Sequence, residues 1–214
     1  MAEQNTVNVS FWLTTGTPVE SDMGSAPAAA DPTAIVVDTT GGADGDVSVV
    51  SGTNCNRLDK VQIVDDYTES GFKALGCNTT LETGASKAGK VALYKADDMT
   101  KLCPSSFTDN SGSPSTINVG TFCDPTQTIA SAVQDAGTME ISGYVDINDP
   151  SYTALYEAAE MIDQRYIRIN ISGDSQGYLV APVTALGMNW DIPLEGAVAY
   201  TITFVKGSAT RHLF

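Results

Sequence analysis

The last third of this 214-residue chain alternates polar and apolar residues, and this period of two constrains the fold more than any other feature. In "TMEISGYVDI", Met139, Ile141, Val145 and Ile147 fall on one face, as in a half-buried strand. Four further strands are predicted in "YIRINISG", "GYLVAPV", "ALGMNWDIPL" and "YTITFVKG". In the third of these, the alternation groups Leu186, Met188, Trp190 and Ile192.

One helix interrupts this series of strands. Asp149 suits the N-cap and Pro150 the first helical position, where the missing N–H of proline would be unpaired anyway. An apolar stripe follows at helical spacing up to about Ile162, formed by Tyr152, Leu155, Tyr156, Ala159 and Ile162. The pattern predicts a short helix that covers an open face or an end of the sheet.

The first two thirds are turn-rich and contain shorter strand candidates. "VNVSFWL" (7–13) predicts a first strand, and "TPVESDMGSAPAAADP" after it predicts a loop. Strands at 34–38 and 46–50 flank a Gly/Asp turn, which indicates a hairpin. "KVQIVDD", "GFKALG" and "KVALYKA" predict more strands, and 104–125 has the composition of a long loop.

Basic residues divide the chain unevenly. No Lys or Arg precedes Arg57, and seven of the eleven lie between 57 and 101. This indicates a separate unit in the middle of the chain. We therefore predict a mainly β protein with four parts: an N-terminal strand and loop (1–33), an inserted small β module (34–103), a long loop (104–125) and a strand–helix–strands core (126–214).

Charge and cysteine spacing exclude several classes of function. A net charge of −15 argues against ordinary nucleic-acid binding, which needs clustered basic residues. Zinc is disfavoured because the chain has a single His and no C-x-x-C pair. Two disulfides would be geometrically simple in a sequential pairing, although reduced thiols are expected without a secretion signal; the four residues are Cys55, Cys77, Cys103 and Cys123.

No catalytic constellation is recognisable. The chain contains neither a G-x-S-x-G elbow nor a phosphate-binding loop, and "GGADGDVSVV" lacks the spacing of a calcium loop. The acid pairs Asp65/Asp66 and Asp97/Asp98 are typical of exposed turns, and His212 is interpreted as a tail residue. We predict no enzyme activity, no cofactor, no metal and no membrane span.

The final third resembles the major tail (tail tube) protein of long-tailed bacteriophages, in "GTMEISGYVDINDPSYTALYEAAEMIDQRYIRINISG" and "ALGMNWDIPLEGAVAYTITFVKG". The stretch "ADPTAIVVDTTGGADGDVSVVSGTN" resembles a small β module of phage tail proteins, with "DTTGGADGD" in place of the usual His-Gly-Leu element. Together the two resemblances cover about two thirds of the chain.

This resemblance implies a β-sandwich or rolled sheet with one flanking helix, packed through Tyr152, Leu155 and Tyr156. It implies six subunits in a ring and rings stacked into a tube through which DNA is ejected. About four strands per subunit, ~4.8 Å apart and tilted ~40°, would give a channel roughly 35–40 Å wide after allowing for side chains. The implied partners are other copies, tail tip and terminator proteins, a tape measure protein in the lumen and DNA in passage. The implied location is the virion tail, assembled in the host cytoplasm.

A lumen lined by carboxylates would repel DNA phosphates. Glu140, Asp146 and Asp191, on polar faces of predicted strands, are the lumen candidates. Arg168 runs against this pattern and is expected to pair with an acid of a neighbouring subunit. The loop at 104–125 and the N-terminal segment are expected to make contacts between rings.

Two other classes remain open. An extracellular β-domain that binds a receptor or carbohydrate would fit the cysteines and the N-x-[ST] triplets at Asn8, Asn78 and Asn170. A hydrolase using paired acids would need carboxylates that converge in space. Disulfide mapping separates the extracellular domain from the tube, and ring formation separates the tube from both.

Overall fold

The computed structural model describes residues 8–25, 34–37, 42–51, 61–68, 71–74, 90–110, 114–119, 128–134, 136–172, 176–207 and 211–213. The strands are β1 (Asn8–Thr14), β2 (Val19–Ser25), β3 (Ala34–Val37), β4 (Val47–Ser51), β5 (Val61–Thr68), β6 (Gly71–Ala74), β7 (Lys90–Tyr94), β8 (Met99–Leu102), β9 (Ser106–Asn110), β10 (Pro114–Val119), β11 (Thr128–Gln134), β12 (Thr138–Tyr144), β13 (Gln164–Ser172), β14 (Gln176–Asp191), β15 (Ala199–Lys206) and β16 (Arg211–Leu213). The helix α1 spans Pro150–Met161. A mainly β fold is confirmed, with one α-helix in the described residues besides a 3-10 turn at Ala96–Asp98.

The main sheet is antiparallel and rolled. Its strand order is β8-β1-β13-β14-β15-β12-β9, with β16 added beside β14. The two end strands of this order, β8 and β9, are joined by residues 103–105 alone, so the sheet must curve back on itself. Phe11 of β1 and Phe107 of β9 close the curve with ring centroids 4.9 Å apart. The core lies inside the roll and includes Leu13, Ile141, Ile167, Ile202 and Phe204.

Strand β14 bends the sheet through a β-bulge. The pairing with β15 shifts between Ala185 and Gly187, and Gly187 has φ = +146°. The bulge changes which residues face the core: Val183 and Ala185 face it before the bulge and Met188 after it. The sequence alternation placed Leu186 on the same face as Met188, and this prediction was wrong, because Leu186 is 65% exposed. The two strands predicted in this region are one continuous strand of 16 residues.

Helix α1 begins as the sequence predicts. The Asp149 side chain accepts a hydrogen bond from the Ser151 N–H, and Pro150 occupies the first turn. Leu155 is fully buried and Ala154 and Ala158 nearly so. Tyr152 packs on Tyr200 with ring centroids 5.4 Å apart. The helix thus closes one side of the rolled sheet, through a smaller apolar stripe than predicted.

Six strands between β1 and β8 form a closed barrel in the order β2-β3-β6-β5-β4-β7. The predicted hairpin between 34–38 and 46–50 was wrong, because β3 pairs with β2 and β6 while β4 pairs with β5 and β7. The predicted loop after β1 contains strand β2, which pairs with β7. Closure of the barrel gives β2 a partner on each side, and such pairing outweighs weak local β-propensity.

The barrel strands run from 19 to 94, whereas the sequence placed the inserted module at 34–103. Strand β8 lies in that predicted module but pairs with β1 in the main sheet. Two strands, β9 and β10, lie within the segment predicted as a loop at 104–125. Strands β10 and β11 form a separate two-stranded hairpin between β9 and β12. The division of the chain into the four domains predicted from the sequence stays a prediction.

Candidate assembly surface

The outward side of four neighbouring strands forms a polar surface, which we call the open face. Antiparallel partners share a side of a sheet, and the pairs Glu140↔Thr203, Glu140↔Thr108 and Asn189↔Thr201 define this one. Its residues are exposed or half-buried: Ser106, Thr108 and Asn110 of β9, Thr138, Glu140, Ser142 and Tyr144 of β12, Ala199, Thr201, Thr203 and Val205 of β15, and Asn189 and Asp191 of β14. The opposite side of the same strands faces the core and α1.

Glu140 and Asp191 are the two charged residues of the open face as defined. The open face includes no Lys or Arg, and Lys206 of β15 points to the other side, where it is buried against Asp109. Glu140 and Asp191 lie two strands and four residues apart, which corresponds to about 16 Å. That separation exceeds the ~5–9.5 Å of paired glycosidase carboxylates, so the two form no hydrolytic pair.

Asp146 occupies a different position from the other two lumen candidates. Strand β12 ends at Tyr144, and Asp146 lies in the exposed turn that leads to α1. Its Oδ1 accepts a hydrogen bond from the Asn148 N–H at 2.9 Å, and its carbonyl accepts one from the Asp149 N–H at 3.0 Å. The carboxylate therefore stabilises the turn before the helix.

The open face ends in two strand edges without a partner among the described residues. One is the outer edge of β9, the last strand of the sheet order. The other is the second half of β14, because β13 pairs with β14 only up to Thr184. The four strands alternate in direction, so these two edges run antiparallel to each other. Unpaired backbone groups at such edges are ready to pair with another chain.

The barrel packs against the outward side of β13 and of the first half of β14 through a second apolar cluster, which includes Val47, Ile63, Tyr166, Tyr178 and Val180. On β13 and β14, these tyrosines alternate with the core residues Ile167 and Ala181. Because the sheet rolls around the core, the outward side of β13 and that of β12 face away from each other, so the barrel and the open face lie on opposite sides of the main core.

Arg168 lies in this junction and not at the surface. It is 6% exposed; its guanidinium donates to the Gly45 carbonyl and stacks 5.1 Å from the Trp12 ring centre. The expected pairing of Arg168 with an acid of a neighbouring subunit was therefore wrong. Burial lowers the pKa of Arg168 and raises that of nearby Asp46. This buried polar contact joins the barrel loop to the main sheet.

Two tyrosines of the junction are held in their neutral form. Burial raises the pKa of Tyr166 to about 12, helped by neighbouring Tyr94. Burial also raises the pKa of Tyr94, which the carboxylate of Asp163 raises further. The rings of the two tyrosines lie 5.4 Å apart. Ionisation of these tyrosines at alkaline pH would therefore weaken the contact between the barrel and the sheet.

The remaining candidates are the cysteines, groups of metal-binding side chains and one cleft. Cys103 is exposed and has a free thiol, while Cys55, Cys77 and Cys123 lie outside the described residues, so their pairing stays untested. Within the described ranges no group of three metal-binding side chains occurs, and no helix there has the length and hydropathy of a membrane span. A cleft of about 350 Å³ beside the start of α1 contains one carboxylate, that of Glu157.

The helix-packing candidates differ in burial. Leu155 is fully buried, Tyr152 is half-buried and Tyr156 is 40% exposed. Tyr156 contacts Trp190 of β14, with ring centroids 6.4 Å apart. The sequence pattern predicted neither the two free edges nor the bulge, because both depend on which strands pair. The glycine inside the "ALGMNWD" alternation was the available signal for the bulge.

Comparisons with known proteins give distant likenesses. No protein-family model matches the sequence, and a search of curated proteins returns no match. Among solved structures, the chain is similar to the SPP1 tail tube determined by solid-state NMR and cryo-EM, with a TM-score of 0.40 and 10% identity over 53% of this chain and 68% of that one. It is also similar to the baseplate of the anti-feeding prophage, with a TM-score of 0.36 and 9% identity over 54% of this chain and 83% of that one.

Proposed function

We propose that this chain is the tail tube subunit of a long-tailed bacteriophage. Six copies form a ring, the rings stack into a tube, and DNA leaves the virion through the channel. The protein acts by assembly and not by catalysis. Tail tip, terminator and tape measure proteins are its further partners in the tail. The observation that carries the proposal is the four-stranded open face, which has a polar, acidic surface and two free edges.

The direction of the edges supports ring closure. Because β14 and β9 run antiparallel, the β9 edge of one copy can pair with the β14 edge of the next in the same antiparallel pattern. Such a contact joins two different surfaces and so generates a closed ring when the rotation fits. Six copies of four strands then form one continuous barrel without free edges.

The charge of the open face supports its position in the lumen. Each copy contributes Glu140 and Asp191 and no basic residue from this face, so a ring would present a uniformly negative surface. Such a surface repels phosphates and prevents DNA from adhering during passage. The barrel, on the opposite side of the core, would lie on the outside of the tube.

Negative-stain electron microscopy of the purified protein tests the assembly. We expect rings or tubes with a channel wider than duplex DNA, which is about 20 Å across. A protein that stays monomeric at all concentrations and carries oxidised cysteine pairs would instead support the extracellular binding domain.

Thiol labelling tests the orientation. In tubes made from a chain without native cysteines, Glu140→Cys should react with a small maleimide but not with maleimide on 5 nm gold, because the gold does not fit the channel. Thr68→Cys, exposed on the barrel, is the matched control and should react with both reagents. Gold labelling at both positions along the tube would contradict the proposed lumen.

A further inference from the structure

The four strands of the open face carry a group of exposed apolar side chains at one end, which we call the apolar end. Tyr144 and Ile147 are 65% and 78% exposed, Ile192 is 75% exposed, and Leu194 is as accessible as in an extended chain. They lie in or beside two turns, 145–149 and 192–198. The turns are joined by the hydrogen bond from the Val145 N–H to the Val198 carbonyl at 2.8 Å.

The β10–β11 hairpin is attached at the opposite end of the same sheet. Strand β9 leaves the sheet at Asn110 and β12 enters it at Thr138; these two residues are partners, and the hairpin lies between them in sequence. Its strands of six and seven residues correspond to about 20 Å. Among the described strands, β10 and β11 pair only with each other, and an isolated two-stranded hairpin is marginally stable in water.

The hairpin segment is also depleted of charge. Residues 110–134 contain a single charged residue, Asp124, in a chain of which 17% is charged. Strands β10 and β11 include Ile117, Val119, Ile129 and Val133. Depletion of charge is the compositional mark of the central part of a protein interface. A hairpin whose two strands are uncharged also suits the apolar end, whose neighbours Asp146, Asp191 and Glu195 would repel an acidic partner.

We propose that the hairpin of one copy docks on the apolar end of a second copy of the chain. The contact is head-to-tail, since hairpin and apolar end lie at opposite ends of one sheet, and such contacts propagate into open-ended stacks. It buries apolar side chains that are exposed in the single subunit and gives the hairpin a partner. In the tube, and so resting on the proposed function, this contact joins one ring to the next.

Cross-linking between two populations tests the contact directly. Leu194→Cys and Ile117→Cys are made separately in a chain whose four native cysteines are replaced by serine, and the two proteins are mixed under mild oxidation. We expect a disulfide-linked dimer in the mixture that is at least tenfold more abundant than in either protein alone. Met161→Cys replaces Leu194→Cys in the control, because Met161 is equally apolar and 65% exposed but lies at the end of α1.

The outcomes separate this inference from the proposed function. Tubes that assemble without the cross-link, or with equal cross-linking to Met161→Cys, overturn the docking and leave the tube intact. The cross-link in linear chains of subunits without rings supports the docking and contradicts the tube. Neither cross-link nor assembly overturns both.

A charge variant gives a second readout. Ile147→Glu combined with Leu194→Glu places two carboxylates on the apolar end without touching the core. We expect single rings in place of tubes and at least a tenfold rise in the protein concentration needed for stacking, at unchanged thermal stability. Met161→Glu is the control and should stack normally. Tubes of normal length from the double variant would overturn the docking.

Discussion

At the residue scale, burial shifts the pKa values of the junction groups in the direction that favours each neutral form. Asp46 is almost completely buried, and desolvation raises the pKa of its carboxyl group. The hydrogen bond from the Ala43 N–H and the charges of Arg168 and Lys95 lower this pKa, whereas the charge of Asp98 raises it. A carboxyl group whose pKa is higher in the folded protein than in the unfolded chain stabilises the fold when it is protonated. This contribution to the free energy of unfolding is complete at pH values below the unfolded pKa. That contribution is lost as the pH rises through the folded pKa.

Asp46→Asn should therefore stabilise the protein more at pH 7 than at pH 3, relative to wild type. Asparagine keeps an oxygen that can accept from the Ala43 N–H, and its neutrality removes the cost of a buried charge. Urea unfolding at both pH values measures the difference. Asp44→Asn, an exposed position in the same loop, is the control. An equal effect of Asp46→Asn at pH 3 and pH 7 would contradict this reading.

Tyr166 makes the junction sensitive to alkali. Its pKa is raised to about 12 from about 10 in an unfolded chain, so its contribution to stability is present below pH 10 and is lost as the pH rises through 12. Two pKa units correspond to roughly 3 kcal/mol at most. Tyr166→Phe should lose the latest step of the tyrosine absorbance titration and resist alkaline unfolding better. Tyr144→Phe, at an exposed site, is the control and should unfold at the same alkaline pH as wild type.

At the element scale, the bulge in β14 gives the open face its composition. It turns Asn189 and Asp191 outward and Met188 inward, although residues of the opposite parity face the core before it. A Cβ at Gly187 would meet nothing within 4 Å, so the requirement for glycine lies in the backbone, whose φ of +146° is unfavourable for other residues.

Gly187→Ala should therefore destabilise the protein by about 1–2 kcal/mol through backbone strain. Urea unfolding measures the loss. Asn189→Ala lies two residues further on and on the same face, and it should stay within about 0.5 kcal/mol of wild type. If both variants unfold at the wild-type midpoint, the bulge does not depend on this glycine.

The elements that the sequence predicted are those with local signals. Asp149 and Pro150 placed the helix start, because capping depends on neighbouring residues. The predicted strand segments of the last third are all found in strands because the alternation there is long, although two of them form the single strand β14. The order of the barrel strands was missed, since a Gly/Asp turn between β3 and β4 indicates a hairpin while pairing with distant β6 and β7 decides the topology.

The candidate site was predictable to a similar extent. Glu140 and Asp191 share one face, but this follows from pairing and from the bulge in β14, which no local pattern specifies. Arg168 alternates with isoleucines and so was assigned to the surface. It is buried because the barrel covers that side of the sheet, which only the tertiary structure reveals.

At the scale of the whole molecule, the subunit has different surfaces on its different sides. The open face is acidic, the opposite side carries the barrel, one end of the sheet is apolar and the other bears the hairpin. Lateral pairing through β9 and β14 and axial docking of the hairpin use separate surfaces. Variants in one contact should therefore leave the other intact, and rings without stacking are an accessible state.

The lateral contact itself can be tested by cysteine pairs at the two free edges. Thr108 of β9 and Asn189 of β14 both lie on the open face. Edge pairing would bring the Thr108 of one copy within disulfide reach of the Asn189 of its neighbour. Ser106 or Asn110 replaces Thr108 if the register differs. A chain carrying both cysteines and no native ones should give, on oxidation, a ladder on denaturing gels that ends at six subunits. Thr201→Cys replaces Asn189→Cys in the control; it lies on β15, one strand further from the edge, and should give no ladder. A ladder that stops at dimers would indicate a two-fold contact between like edges and would contradict the ring.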